Sequence, residues 1–286
     1  MQYILITILV AFFNAGCAMR STQKIDQTAA LNMGLVEHDL VYRTVGNKKL
    51  RLNIYLPDKY IGEPPWWTND GKGKKPTLLY IHGGGWVAGS KDERCLNILP
   101  YVYRDWVVIS INYRLAKDAK APAAVDDCLV ALEWIYAHAD KYDIDTDRIV
   151  VSGGSAGGHL SLLTGMVREG DQLCEGKLTV GDTKKVAAIV NWYGVTDFLI
   201  NPHPLEWFGK DIDLEEYVQS LSPINYVREG SPPVLTIHGS DDSAVPVQQA
   251  VNMHNKLREV GIQENVEIVL KGNIDKCYRI GTRHQT

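Results

Sequence analysis

The chain has 286 residues, 45% of them apolar, and a formal charge of −4 from 30 basic and 34 acidic side chains. That length and apolar share build one globular domain of α/β size. The near balance of charge, scattered rather than in runs, supplies no cationic field and excludes nucleic acid as the partner.

The N-terminus differs in composition from the rest. Ile4 to Phe13 is a ten-residue apolar run interrupted only by Thr7, too short to cross a bilayer as a helix but the right size for a signal-peptide core. Asn14-Ala15-Gly16-Cys17 then resembles a bacterial lipoprotein cleavage box, although an asparagine stands where that box takes an aliphatic residue and no Lys or Arg precedes the run. The expectation is a signal over residues 1–18, a lipid anchor at Cys17, a polar linker over 19–34 and an exported product, periplasmic or held at a bacterial outer membrane. Ordinary secretory cleavage after Ala18 is the alternative. Cys95, Cys128, Cys174 and Cys277 remain, and in an oxidising compartment they can make two bridges in any of three pairings. No C-x-x-C or His/Cys cluster has metal-ligand spacing, so neither a metal nor a cofactor is expected.

Further along, His38 to Val45 and Leu50 to Leu56 read as strands joined by a hairpin at Gly46-Asn47-Lys48-Lys49. The stretch 57–75 is rich in Pro, Gly, Asp and Lys and reads as loop. It carries Trp66-Trp67, indoles that either pack on a flank or line a sugar or aromatic subsite. Thr77 to Ile81 is a buried-strand run that opens into His82-Gly83-Gly84-Gly85-Trp86, and Val107 to Asn112 is another strand. Pro122 to Tyr142 reads as a helix with Val125, Leu129, Leu132 and Tyr136 on one face. Asp126 and Asp127 lie near its positive end and are expected to be structural. Strands follow at Ile149 to Val151, Val186 to Trp192, Val234 to His238 and Val266 to Leu270, with a helix from Val247 to Val260. Alternating strands and helices predict an α/β fold over residues 35–286: a mostly parallel central sheet with helices on both faces.

The chemistry-bearing stretch is Gly153-Gly154-Ser155-Ala156-Gly157, a G-x-S-x-G between a strand and a helix. That string is the nucleophile elbow, in which a strained turn lifts the serine hydroxyl above the sheet edge. Glycines two before and two after the serine let strand and helix approach without a Cβ clash. A plain glycine-rich βα turn is the bland reading. A dinucleotide loop fits less well, because Ser155 stands where its second glycine belongs. In an open α/β sheet reactive groups gather at the carboxyl ends of strands. The Gly83 to Gly85 run lies at such an end, and the N–H groups of Gly84, Gly85 and Ala156 are the candidate oxyanion donors. His82 is expected to brace that loop. His238 to Pro246 follows a later strand and supplies the acid, Asp242 in preference to Asp241.

Together His82 to Trp86, Asn112-Tyr113-Arg114-Leu115, the Asp145 to Arg148 lead-in, Gly153 to His159 and His238 to Pro246 resemble the α/β-hydrolase-fold serine esterases of bacteria. The feruloyl and acetyl-xylan esterase-like branch, neighbour to the hormone-sensitive-lipase-like esterases, is the most similar. The resemblance covers roughly residues 38 to 270 and implies a carboxylesterase that cleaves short acyl esters, acetyl or feruloyl groups on plant polysaccharide among them. It departs at the third triad member, for Lys271-Gly272-Asn273-Ile274-Asp275-Lys276 has no histidine where the family carries one. His254 falls inside a helix and reads as a surface residue. His284 has the reach to serve as the base, but a tail without a helix behind it would hold it poorly. The competing expectation is a truncated or altered end after residue 272. A peptidase or amidase of the same fold, or an inactive carbohydrate-binding relative, would share the remaining motifs.

Overall fold

The computed structural model describes residues 36–57, 73–93, 95–173, 184–201, 204–210, 212–262 and 266–272, with the side chains of 95–97 and 266–268 outside that description. The signal and linker segments, Cys17, Trp66-Trp67, Cys174, Cys277 and His284 all lie outside the described residues.

Strands β1 (Val36–Val45) and β2 (Lys48–Tyr55) form an antiparallel hairpin, turned at Gly46 and Asn47, and β2 pairs antiparallel with β4 (Val107–Ile111). From there the sheet is parallel: β3 (Lys75–Ile81), β5 (Ile144–Gly154), β6 (Ala188–Trp192), β7 (Val234–Gly239) and β8 (Val266–Leu270). The spatial order of the eight described strands is β1-β2-β4-β3-β5-β6-β7-β8.

All seven residues of β3 and all five of β4 and β6 are buried. Such strands read as continuous apolar runs because both faces are covered. Alternate side chains feed two cores. Leu79, Ile81, Ile109, Ile111, Val151 and Ile189 pack on the face covered by α2 (Ala123–Ala137), α3 (Ala156–Met166) and, later in the chain, α6 (Gln248–Glu259). Leu78, Tyr80, Val108, Val150, Val190 and Leu235 pack on the other, against Ile98, Tyr101 and Val102 of α1 (Cys95–Val102).

Several elements differ from the sequence expectation. The α2 helix stops at Ala137 rather than Tyr142, and α1 was not anticipated, since Pro100 inside it breaks the helical pattern. Two short helices, α4 (Leu205–Phe208) and α5 (Leu214–Leu221), cover the carboxyl end of the sheet. The second had a readable start: the Asp213 side chain accepts from Glu215 N at 3.0 Å and Glu216 N at 3.1 Å. Cys128 is a buried free thiol on α2, so the four-cysteine, two-bridge scheme does not form. Its place on the inner face of α2 puts it inside the hydrophobic core.

Asp126 and Asp127 hold the sheet margin to α2. Arg43 on β1 reaches Asp126 at 2.6 Å and Asp127 at 2.8 Å, and Arg114 after β4 bonds Asp127 through Nε at 2.8 Å and through its own backbone N at 2.8 Å. The Asp127 side chain is wholly buried. Burial outweighs the two arginines and lifts its pKa above the ordinary carboxylate value. A buried pair is costly to break, because the partner left behind stays desolvated and charged. Asp127→Ala should therefore lose about 3–5 kcal/mol of unfolding free energy, read from urea denaturation. A loss below about 1 kcal/mol, the range of an exposed pair, would show that the cluster does not hold the hairpin.

Candidate active site

Parallel pairing sets the strand ends side by side. Ile81 pairs with Gly153, Gly154 with Trp192, Trp192 with Ile237 and Gly239 with Leu270. Ser155 follows β5 at once, with φ 55° and ψ −122°, a strained conformation for a residue with a Cβ. Its N–H donates to Trp192 O at 2.9 Å, and its carbonyl accepts from His159 N at 3.0 Å to start α3. Flanking glycines permit this. A Cβ on Gly157 would overlap the Ile81 carbonyl oxygen, and one on Gly153 would come within 2.6 Å of the Gly157 oxygen.

The loop after β3 wraps over the elbow. A Cβ on Gly83 would lie 2.6 Å from Gly154 O, and Gly84 and Gly85 take positive φ, 115° and 61°. The Gly84 carbonyl accepts from Val87 N at 3.1 Å and Ala88 N at 3.0 Å, closing the turn. His82 braces this loop from below. It is buried, stacks on Tyr113 at 4.2 Å, and bonds Gly83 O through Nδ1 at 2.7 Å. Ala156 is the first residue of α3, where backbone N–H groups have no intrahelical acceptor.

Asp242 sits on the crest after β7. Its Oδ1 accepts from Ala244 N and Val245 N, both at 2.9 Å, while Oδ2 stands 4.0 Å from His238 Nε2. The His238 Nε2 bonds Val245 O at 2.8 Å instead. Asp241, by contrast, is exposed, and among the described residues its side chain accepts only from Ser240 Oγ at 2.8 Å. The two adjacent aspartates are thus separated by geometry: one is clamped by backbone donors, the other faces solvent.

A cavity of about 250 Å³ brings Ser155, Gly84, Gly85 and Asp242 together. Three further residues line it that the sequence reading did not single out: Tyr80, Glu93 and Tyr193. Tyr193 carries φ 41° just past β6, and a Cβ on Gly154 would stand 3.1 Å from its hydroxyl. Its backbone strain was the only available signal, and that is invisible in sequence. Of the eight histidines, His203 and His284 lie outside the described residues, and none of the others lines the cavity. His254 corrects the surface expectation, for it is buried on the inner stripe of α6 with Gln249, Ala250, Met253 and Leu257. Among the described residues no group of three His, Cys, Asp or Glu side chains is arranged to hold a metal ion.

Beneath the cover helices lies an aromatic cluster. Trp86 stacks on Trp207 at 4.7 Å, and both meet His159 edge to face. His159 bonds Leu221 O through Nε2 at 2.7 Å, tying α3 to α5. Burial pulls His82, His159 and His254 from the ordinary 6.5 down to about 4. The unfolded chain then binds more protons than the folded one between those values. Stability is full above pH 6.5 and falls as pH drops toward 4. Urea midpoints measured across that range should fall, and His159→Gln, which keeps a donor for Leu221 O, should shrink the fall. An unchanged slope in the variant would assign the acid sensitivity elsewhere.

A family model described as BD-FAE matches residues 66–257. The chain is 33% identical over 204 residues to the probable carboxylic ester hydrolase LipM of Mycobacterium tuberculosis, covering 67% of this chain and 47% of that protein. It is 34% identical over 199 residues to esterase LipC of the same organism, covering 65% and 49%. The chain spans about half the length of these curated relatives. Among solved structures, a truncated carbohydrate esterase from gut microbiota superposes with a TM-score of 0.69 at 29% identity, over 82% of this chain and 87% of that one. Esterase 2 of Thermogutta terrifontis gives 0.68 at 25% identity, over 84% of each chain. The sheet order, the elbow and these superpositions make the fold an α/β-hydrolase fold.

Proposed function

The chain belongs to the BD-FAE family, and from that membership we propose that it is a serine carboxylesterase releasing short acyl groups, acetyl or feruloyl among them, from plant polysaccharide or small alcohols. The observation that carries the reading is the convergence of Ser155, Gly84, Gly85 and Asp242 on one cavity. Ser155 Oγ attacks the acyl carbonyl carbon as a base takes its proton, and the N–H groups of Gly84, Gly85 and Ala156 hold the oxyanion that forms. The intermediate collapses with protonation of the departing alcohol. Water then repeats the sequence on the acyl-enzyme and frees Ser155. Asp242 orients the imidazole through Oδ2, because Oδ1 is spent on two backbone donors. We assign that imidazole to His284, and export to the apolar N-terminal run with its Cys17 box.

Ser155→Ala should abolish hydrolysis of p-nitrophenyl acetate with the circular dichroism spectrum unchanged. Wild-type turnover in that variant would refute the nucleophile. Asp242→Asn should cut kcat by about 10⁴ and Asp241→Asn by little, since only the first is clamped at the cavity. His284→Ala should match Ser155→Ala, because triad members act as a unit. If it leaves the rate intact, His203→Ala is the next variant to measure.

Acyl length follows from volume. A cavity of about 250 Å³ falls below the usual range for drug-sized ligands, and the Trp86–Trp207 stack is already packed solid beneath the cover. Acetyl to butyryl esters should be turned over faster than dodecanoyl ones in a chain-length series. A maximum at dodecanoyl would overturn the small-pocket reading.

A further inference from the structure

The cavity that holds Ser155 has a one-sided charge. Among the described residues Glu93 and Asp242 both line it, and no Lys, Arg or His side chain does. Asp242 is accounted for by its two backbone donors. Glu93 is exposed, and among the described residues no ion pair neutralises it. The nearest lysine in the chain, Lys91, is committed elsewhere: its ammonium pairs with Asp39 at 3.0 Å and Asp92 at 2.8 Å and is itself buried. Two tyrosine rings, Tyr80 and Tyr193, line the same cavity, and the left-handed backbone at Tyr193 is held by its N–H bond to Ile237 O at 2.9 Å. A carboxylate that shares a cleft with aromatic rings, with no compensating cation among the described residues, is the chemistry that attracts a positive group.

We propose that Glu93 is a specificity-determining residue: with the Tyr80 and Tyr193 rings it makes the cavity favour esters carrying a positive charge next to the scissile group over neutral esters of the same shape. The selectivity deepens the serine-esterase reading and rests on it for its kinetic consequence, but not for binding. The preference is set by the Coulomb attraction of the solvent-facing Glu93 carboxylate for a charge a few ångströms away, and it weakens as salt screens it.

Choline and 3,3-dimethylbutan-1-ol have the same shape and differ by one unit of charge. Ligand-observed NMR titration into the wild-type protein should give choline an affinity about five- to tenfold higher. The ratio should approach unity in Glu93→Gln, stay above unity in Glu93→Asp, and shrink in the wild type as salt is raised. The kcat/KM ratio of acetylcholine to 3,3-dimethylbutyl acetate should move in parallel. Equal affinities in the wild type, or a ratio that Glu93→Gln leaves intact, overturns the proposal. An intact, Glu93-dependent binding ratio with neither ester hydrolysed would overturn the esterase reading and leave the charge selectivity standing.

Discussion

Everything at the cavity depends on one close approach, that of the elbow glycines to the end of β3. The Ile81 carbonyl oxygen occupies the space that a Cβ on Gly153 or Gly157 would need. With no side chain at either position, α3 can start directly over the strand end and Ser155 is forced into its left-handed φ. The same contact sets the height of the next loop, since Gly83 in turn rests on Gly154 O. Strain at Ser155 is therefore maintained, among the described residues, by the close approaches at Gly83, Gly153 and Gly157.

Two polar clusters fix the loop that carries Gly84 and Gly85, one at each end of its path. Beyond its far end Lys91 is gripped by Asp39 and Asp92, while Asn53 donates to Asp92 at 2.8 Å and accepts from Asp39 N at 3.1 Å. The Lys91 backbone is held as well, its N–H by Asn112 Oδ1 at 2.7 Å and its carbonyl by Ser110 Oγ at 2.8 Å. Near the loop's start, Tyr113 Oη donates to His82 O at 3.0 Å, and Trp86 O accepts from Ala116 N at 2.9 Å. Arg114 continues that second anchor into the Asp126–Asp127 cluster on α2. Buried ion pairs add little net stability against their desolvation cost, but they do specify one arrangement. Here they link the N-terminal hairpin, α2 and the glycine loop into one positioned unit, so a hairpin with no residue in the cavity still bears on its geometry.

The parts legible in the sequence are those whose chemistry demands particular residues at short spacing. The elbow, the glycine run after β3 and the aspartate four residues after His238 are of this kind, and so are the parallel strands, whose burial on both faces leaves unbroken apolar runs. What was illegible comes from tertiary placement. Tyr80 on β3, Tyr193 just past β6 and Glu93 line one cavity because strand register sets these chain segments side by side. His254 looks like a helix-surface residue until α6 is seen to bury the stripe through Gln249, Ala250, Met253 and Leu257. A buried glutamine on that stripe has its own explanation: Gln249 accepts from Thr196 N and Asp197 N and donates to Asp197 O, pinning the loop after β6. Cys128 likewise follows from the inward face of α2, not from any partner cysteine.

The acid loop constrains where the missing base must stand. Among the described residues His238 is the imidazole nearest Asp242, yet it is fully buried, its Nε2 is bonded to Val245 O, and it does not line the cavity. Burial also holds its pKa below the ordinary value, which makes it a poor acceptor for a proton from Ser155. The other described histidines are excluded more simply, for none borders the cavity. Asp242 meanwhile has one oxygen saturated by Ala244 and Val245 N–H groups, so only Oδ2 can take an imidazole N–H. Among the described residues no imidazole bridges Oδ2 and the Ser155 hydroxyl, so the β7 loop that carries the acid does not itself supply a base.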